Sequence, residues 1–302
     1  MSTNGDTSAL LKLPLLLLGR LRELLDMIKF EHTIFALPFA FIGALAATVG
    51  PFPWVKYLWV LAAMVGARTL AMTFNRVADV DLDAENPRTS TRALPAGRLS
   101  LSHAWVMAGA AAALFGLAAM KLGPLPAKLA PCAFAVLLVY SITKRFTAWT
   151  HAFLGLALGI APVGAWIAIA GKIEVPSLWL SAGVIAWTAG FDIIYALQDH
   201  EFDQQKGLHS VPAALGIPAA LMVSRVCHVI AAISWAIFLL LMQATFFAWL
   251  ALAAVAAILC REQWIMRGGD LKRLDHAFFS LNSFVGPTLF FGYLLHWLLT
   301  RA

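Results

Sequence analysis

Long apolar stretches alternate with short polar segments along most of the chain. A helix needs about 20 predominantly apolar residues to cross the hydrocarbon core of a bilayer, and it satisfies its own backbone polar groups there. Nine stretches reach about this length, namely 27–49, 54–78, 102–122, 125–142, 148–170, 177–198, 216–241, 244–260 and 277–299. The pattern predicts an all-α, polytopic membrane protein with about nine transmembrane helices.

Composition supports this prediction and excludes other classes. Hydrophobic residues make up 61% of the 302 residues and charged residues 13%, which excludes an ordinary soluble domain. The net charge is +6, but the basic residues are scattered over loops and form no stripe that predicts nucleic-acid binding. Three cysteines lie in separate apolar stretches and are expected to be structural. We expect one integral membrane domain over residues 1–302.

Lysine and arginine are distributed unevenly between the two sides of the predicted helices. Counted with the N-terminus inside, sixteen fall on the inner side and five on the outer side. This bias predicts a bacterial-type inner membrane protein with a cytoplasmic N-terminus and both long polar loops in the cytoplasm. The apolar patch over residues 10–18 is short and lacks a cleavage site, so we expect the first spanning helix to direct insertion.

Oxygen-bearing side chains recur at a regular spacing where the first long polar loop begins. Asn75, Asp79 and Asp83 are four residues apart at the end of an apolar stretch. On a helix, this spacing places them along one face. Three such side chains in a line predict a divalent cation site.

The second long polar loop repeats the arrangement. Asp192, Tyr195, Asp199 and Asp203 recur every three or four residues at the end of another apolar stretch. Because carboxylates at membrane depth are costly, they mark functional sites. We expect two four-helix units that each direct one acidic cluster toward a central cavity, with the ninth helix as an addition.

The two clusters together offer hard oxygen ligands of the kind that Mg²⁺ uses when it bridges carboxylates and phosphates. The expected metal ligands are Asn75, Asp79, Asp83, Asp199 and Asp203. Cations in the cytoplasmic loops complete an anion site; they are Arg88, Arg92, Lys144, Arg145 and Lys206. The pattern predicts a diphosphate site. As an alternative, Lys144 and Arg145 serve only as positive anchors at the membrane surface.

Three polar segments follow one another in a characteristic order. They are Asn75-x3-Asp79-x3-Asp83 with Asn86-Pro87-Arg88-Thr89 and Arg92-Ala93-Leu94-Pro95, then Tyr140-x3-Lys144-Arg145-x-Thr147, then Asp192-x2-Tyr195-Ala196-x-Gln198-Asp199-x3-Asp203. In this order they resemble the three signatures of the UbiA superfamily of intramembrane prenyltransferases, and the resemblance covers nearly the whole chain. It implies transfer of a polyprenyl group from a polyprenyl diphosphate, with Mg²⁺, to an acceptor. The segment over residues 28–39 resembles quinone-pathway members whose acceptor is a hydroxyaryl carboxylate, either 4-hydroxybenzoate or 1,4-dihydroxy-6-naphthoate of a menaquinone route.

Individual residues receive roles under this hypothesis. The expected catalytic residues are Asp79, Asp83, Lys144, Arg145, Asp192, Asp199 and Asp203. The expected substrate contacts are His32, Arg68, Arg88, Tyr140, Lys144, Arg145 and Tyr195. As alternatives, Tyr140 and Tyr195 belong to the interfacial aromatic belt and His32 is structural. Arg68, two helical turns deeper than Asn75, is expected to contact a ligand or the acidic cluster, or alternatively a backbone carbonyl; the sharper prediction is that it holds the acceptor carboxylate. Asp192 is predicted to orient or deprotonate the acceptor hydroxyl or to pair with a cation. His151, His228 and His296 have no carboxylate nearby in sequence and are expected to be structural.

Two other functions remain open at this point. Intramembrane charges and helices with internal proline also occur in transporters, although transporters place charges near the bilayer midplane rather than at one face. Within the superfamily, haem, chlorophyll and archaeal lipid prenyltransferases share the aspartate signatures. Neither the acceptor nor the isoprenoid chain length follows from the signatures.

Overall fold

The described part of the computed structural model comprises residues 23–24, 27, 35–267 and 280–301. Within these residues the secondary structure is helical and no strand occurs. The helices are α1 (Leu37–Ala47), α2 (Trp54–Ala78), α3 (Val80–Glu85), α4 (Leu101–Leu122), α5 (Pro124–Val139), α6 (Thr150–Ala170), α7 (Val175–Ala196), α8 (His200–Lys206), α9 (Val211–Leu215), α10 (Ile217–Leu241), α11 (Phe246–Met266) and α12 (Asn282–Leu299). Short 3₁₀ turns follow α5 (Tyr140–Arg145) and α7 (Leu197–Asp199).

Seven helical segments among the described residues are long and apolar enough to cross a membrane. They correspond to α2, α4, α5 with its 3₁₀ turn, α6, α7 continued through α8, α10 and α11. The all-α polytopic class is therefore confirmed, whereas the count of nine spans is not. The first predicted span contributes the short apolar helix α1, and the last contributes α12, whose 18 residues include asparagine, histidine and proline.

The helices close into a bundle because the last one returns to the first. Consecutive long helices pack against each other, α12 packs against α1, and α1 also packs against α6. Large aromatic side chains fill the centre of this contact region, where Phe39 lies against both Trp187 and Trp235. This packing brings the loop after α2 and the loop after α7 within reach of each other.

Asp79 in the first acidic segment and Asp199 in the second have the same backbone conformation at a helix boundary. The continuous helix expected through Asn75, Asp79 and Asp83 is interrupted at Asp79, where α2 ends and α3 begins. Asp79 has φ −101° and ψ 8°, and Asp199, between the second 3₁₀ turn and α8, has φ −100° and ψ 6°. The Asp83 N–H still donates to the Asp79 carbonyl at 2.7 Å, so the four-residue register survives the break.

A buried polar network connects α7, α11 and α12. The span predicted to end at residue 260 continues to Met266, so Glu262 lies inside α11 and is fully buried. Its Oε1 accepts a hydrogen bond from Asn282 Nδ2 at 2.7 Å, and Asn282 Oδ1 accepts one from Trp187 Nε1 at 2.7 Å. These bonds satisfy polar groups that would be costly to leave unpaired in the bundle.

Helices α6 and α7 approach closely at Gly155, where no side chain fits between the two helix backbones. A Cβ at Gly155 would lie 2.4 Å from the Ile185 carbonyl oxygen, whereas a Cβ at Gly164, in the same helix, would meet no atom within 4 Å. We expect Gly155→Ala to lower the free energy of unfolding by about 1–3 kcal/mol through overpacking. Gly164→Ala should leave it unchanged or raise it by up to about 1 kcal/mol through helix propensity. Thermal unfolding in one detergent measures both, and equal Tm values for the two variants would contradict this packing argument.

Candidate active site

The first acidic segment is buried and paired with cations. Asp79 and Asp83 are 4% and 6% exposed. Asn75 Nδ2 donates to Asp79 Oδ2 at 3.2 Å, in keeping with their spacing of one helical turn. Asp83 accepts hydrogen bonds from Arg92 Nη1 at 2.7 and 2.8 Å and from Arg76 Nη1 at 3.3 Å. The carboxylates are thus held in place by opposite charges rather than solvated in the loop.

The 3₁₀ turn after α5 carries two cations to the end of α2. Lys144 Nζ lies 3.3 Å from Asp79 Oδ2, and Arg145 Nη2 lies 3.6 Å from Asp79 Oδ1. Arg145 Nη2 also donates to the Ala78 carbonyl, and the Lys144 carbonyl accepts from the His209 N–H at 2.7 Å. This turn therefore connects both acidic segments.

A contact across the bundle joins the loop after α3 to the second acidic segment. Arg88 Nε donates to Asp199 Oδ1 at 3.0 Å and its Nη2 to Oδ2 at 2.5 Å, while Asn86 Nδ2 donates to Oδ1 at 3.1 Å. Arg88 Nη1 also donates to the Tyr195 hydroxyl at 3.2 Å. Partial burial lowers the pKa of Arg88, but the hydrogen bond and charge of Asp199 outweigh it and raise that pKa above its usual value. Arg88 is therefore a permanent cation between the two acidic segments.

Both acidic segments line one polar cavity of about 260 Å³. Its walls also include Lys144 of the 3₁₀ turn and polar groups of α6 and α7. The sequence-predicted residues that the structure brings together here are Asn75, Asp79, Asp83, Arg88, Arg92, Tyr140, Lys144, Asp192, Tyr195, Asp199 and Asp203. Arg145 reaches the cavity edge through its ion pair with Asp79.

Two further cavities adjoin the polar cavity. A larger one of about 610 Å³, here called the arginine-lined cavity, has walls that include Arg68, Arg76, Arg88, Arg92 and Arg98. An apolar cavity of about 150 Å³ lies among α2, α4, α5 and α6. All three cavities share Met72 and Leu154 as wall residues, so they meet at these two side chains.

Arg68 lines the apolar and the arginine-lined cavities, but not the polar cavity. It thus lies away from the carboxylates expected to hold a metal ion. His32 falls outside the described residues. Lys206 pairs with Glu85 at the ends of α8 and α3 and lines none of the three cavities.

The carboxylates fit a hard divalent cation. Asp79 Oδ1 is buried and accepts no hydrogen bond within the described part of the chain, so it is an orphaned acceptor that a cation would satisfy. Among the described residues, no three histidine, cysteine or carboxylate side chains already form a metal cluster, because arginine and lysine lie between the carboxylates. The donor set is composed of oxygen ligands that suit Mg²⁺.

Sequence reasoning missed several residues of this site. Arg76 donates to Asp83 and Asn86 donates to Asp199. The one sequence signal for these contacts was that both residues lie in or beside the first acidic segment. His151 was expected to be structural because no carboxylate lies near it in sequence, but in the structure its Nδ1 lies 2.7 Å from Asp192 Oδ2. Asp192 is 41 residues further along the chain, so no local pattern marked this contact.

The fold and site define an integral membrane protein whose helices surround a charged cavity beside an apolar one. A model of the UbiA prenyltransferase family matches residues 36–284. The chain therefore belongs to the UbiA prenyltransferase family, as the order of its polar segments predicted.

Curated relatives and solved structures agree with this assignment. A 4-hydroxybenzoate octaprenyltransferase of Shewanella sediminis (strain HAW-EB3) is 32% identical over 175 residues, which cover 57% of this chain and 61% of that protein. A protein of the same name from Francisella tularensis subsp. novicida (strain U112) is 33% identical over 166 residues, covering 54% of this chain and 58% of that protein. The matched region thus spans about three fifths of the length of these relatives.

The apo structure of a UbiA homologue from Aeropyrum pernix K1 has a TM-score of 0.81 and 33% identity, and the match covers 88% of this chain and 98% of that one. A UbiA homologue from Archaeoglobus fulgidus, solved bound to GPP and Mg²⁺, has a TM-score of 0.69 and 21% identity over 90% of this chain and 99% of that one. At 21% identity, this second structure shows a similar fold only.

Proposed function

We propose that this protein is a Mg²⁺-dependent prenyltransferase that transfers a polyprenyl group from a polyprenyl diphosphate to a ring carbon of a hydroxyaryl carboxylate of the 4-hydroxybenzoate type. The observation that carries this proposal is the meeting of three cavities of different chemistry at Met72 and Leu154. A diphosphate, an isoprenoid tail and an aromatic acid need three such environments around one reacting carbon.

The polar cavity accommodates the diphosphate. Asn75, Asp79, Asp83, Asp199 and Asp203 would hold Mg²⁺, which when bound neutralises the diphosphate and stabilises it as a leaving group. Lys144, Arg145 and Arg88 already lie against Asp79 and Asp199 and supply further positive charge. Charge-assisted hydrogen bonds from these side chains stabilise the negative charge that develops when the C–O bond breaks.

The apolar cavity accommodates the first isoprene units. Its walls are formed mainly by alanine, leucine and methionine side chains, with Phe115 from α4. Breaking the C–O bond leaves an allylic cation, and most of these walls are alkyl groups that do not attack it, while the Tyr140 hydroxyl donates to the Ala71 carbonyl at 3.2 Å. Phe191 and Tyr195, in the adjoining wall, present aromatic rings that favour a nearby positive charge.

The arginine-lined cavity accommodates the acceptor. Guanidinium groups bind carboxylates in a two-pronged geometry, and Arg68 lies nearest to the apolar cavity, where the ring must meet the allylic carbon. The ring carbon beside the hydroxyl forms the new C–C bond and then loses its proton.

We further propose that this face of the bundle is cytoplasmic and that the N-terminus is inside, because the basic residues are concentrated there.

An assay of membranes that contain the protein tests the proposed function. Geranyl or farnesyl diphosphate and Mg²⁺ are incubated with 4-hydroxybenzoate, 1,4-dihydroxy-6-naphthoate or an unrelated aromatic acid, and products are identified by mass spectrometry. We expect a prenylated hydroxyaryl acid that disappears when EDTA removes the metal. Absence of product from every acceptor would contradict the proposal, and uptake of a solute into vesicles without product would favour a transporter instead.

A further inference from the structure

His151 makes two hydrogen bonds that determine which ring nitrogen carries the proton. It is the second residue of α6, and its side chain is 4% exposed. The Val211 N–H donates to Nε2 at 3.2 Å, so Nε2 presents its lone pair and the proton is on Nδ1. Nδ1 lies 2.7 Å from Asp192 Oδ2 and therefore donates to that carboxylate. His151 thus holds the Asp192 carboxylate in one orientation.

Asp192 lies between the places proposed for the two substrates. It lines both the polar cavity and the arginine-lined cavity, and 22% of its side chain remains exposed there. The contact exists because α6 and α7 approach closely at Gly155, one helical turn after His151. The bond to Val211, at the start of α9, also connects the pair to the loop that follows the second acidic segment.

We propose that His151 is a positioning residue that orients Asp192 to accept the proton of the acceptor's hydroxyl group. This inference rests on the proposed function and names the proton acceptor within that same site. A phenolic hydroxyl, with a pKa of about 10, is scarcely ionised at neutral pH, so the ring gains nucleophilicity when a carboxylate takes its proton.

Asp192, the acceptor and the prenyl diphosphate together donate and take up every proton and electron pair of this step. The hydroxyl proton moves to Asp192, and the electron pair on the ring oxygen drives C–C bond formation at the neighbouring ring carbon. The C–O bond of the prenyl donor breaks, and diphosphate leaves with the electron pair of that C–O bond. The ring proton then passes to the released diphosphate and Asp192 returns its proton to the ring oxygen, so one ring hydrogen is replaced by the prenyl group.

Two amide variants separate the two hydrogen bonds of His151. In His151→Asn, the amide nitrogen takes the place of Nδ1, so the bond to Asp192 is kept. In His151→Gln, the amide nitrogen takes the place of Nε2, so the bond to Asp192 is lost. We expect His151→Asn to retain kcat within about threefold, and His151→Gln to lose about 10- to 100-fold in kcat with an unchanged KM for the prenyl diphosphate. Thermal unfolding in detergent verifies that both variants fold. Equal kcat losses in the two variants would overturn the proposal.

A more acidic acceptor provides a readout that a merely structural role would not change. 3-Fluoro-4-hydroxybenzoate retains one free ring position beside a hydroxyl group that ionises more readily. With this acceptor, the kcat losses of His151→Gln and of Asp192→Asn, each relative to wild type, should shrink by about fivefold or more. The same loss on both acceptors would overturn the role of the pair. No product from wild-type protein with either acceptor would instead overturn the proposed function, and this inference with it.

Discussion

Asp79→Asn is expected to lower the rate of prenyl transfer by at least about 100-fold, because the Mg²⁺ that Asp79 is proposed to hold would neutralise the leaving group and contribute several kcal/mol to transition-state stabilisation. Asp79 is 4% exposed, and its Oδ1 is buried without a hydrogen bond in the described residues, so this carboxylate offers a charged oxygen that a bound cation would satisfy. Asparagine keeps the shape of the side chain but removes that charge. The initial rate with saturating Mg²⁺, measured by mass spectrometry of the product, gives the result.

Asp81 provides a matched control for this prediction. It lies in the same short helix, α3, and is exposed. Asp81→Asn should retain the wild-type rate within about twofold, since surface charges away from a site contribute little. Binding of Mn²⁺ as a spectroscopic substitute for Mg²⁺ should weaken in Asp79→Asn and remain unchanged in Asp81→Asn. An Asp79→Asn variant with more than half of the wild-type rate would contradict the proposed metal site.

Arg68→Ala should lower kcat/KM for a carboxylated acceptor by about 10- to 100-fold, since a hydrogen bond to a charged group is worth about 1.5–3 kcal/mol when its partner is lost. Arg68 lines the arginine-lined and apolar cavities and is absent from the polar cavity, so the KM for the prenyl diphosphate should change little. Steady-state kinetics with 4-hydroxybenzoate and with hydroquinone, which lacks the carboxylate, measure the effect. We expect little loss with hydroquinone.

Arg98 serves as the control, because it lines the same cavity but its side chain is 48% exposed and pairs with Glu23 at 3.1 Å. Arg98→Ala should change kcat/KM by less than about threefold. An equal loss for Arg68→Ala with both acceptors would reject a contact between Arg68 and the carboxylate and would point to a structural role for the guanidinium.

Local pattern was sufficient to predict much of this protein. The apolar stretches predicted the helices to within a few residues in α2, α6 and α10, because a segment that crosses a bilayer must satisfy its own backbone. The four-residue spacing of Asn75, Asp79 and Asp83 likewise predicted a common face. Asn75 and Asp79 are hydrogen-bonded, although the helix breaks at Asp79.

Predictions failed where no local pattern applied. The span that was predicted to end at residue 260 continues through Glu262, because a polar residue was taken as the end of a helix. Inside the bundle, Asn282 donates to one oxygen of that carboxylate, and only the packing of α12 on α11 brings it there. Asp83 also has Arg76 and Arg92 as partners, seven and nine residues away in the chain, which the four-residue spacing did not assign.

The sequence by itself determined the helical membrane class, the family and the residue types of both acidic segments, since each of these is encoded in short stretches of the chain and in their order. Tertiary structure alone decided which distant side chains share a cavity. Arg88 and Asp199 are 111 residues apart and His151 and Asp192 are 41 apart, yet each pair is in direct contact. Such contacts depend on how closely helices approach, and that depends on small residues such as Gly155, whose effect is visible only when its partner helix is in place.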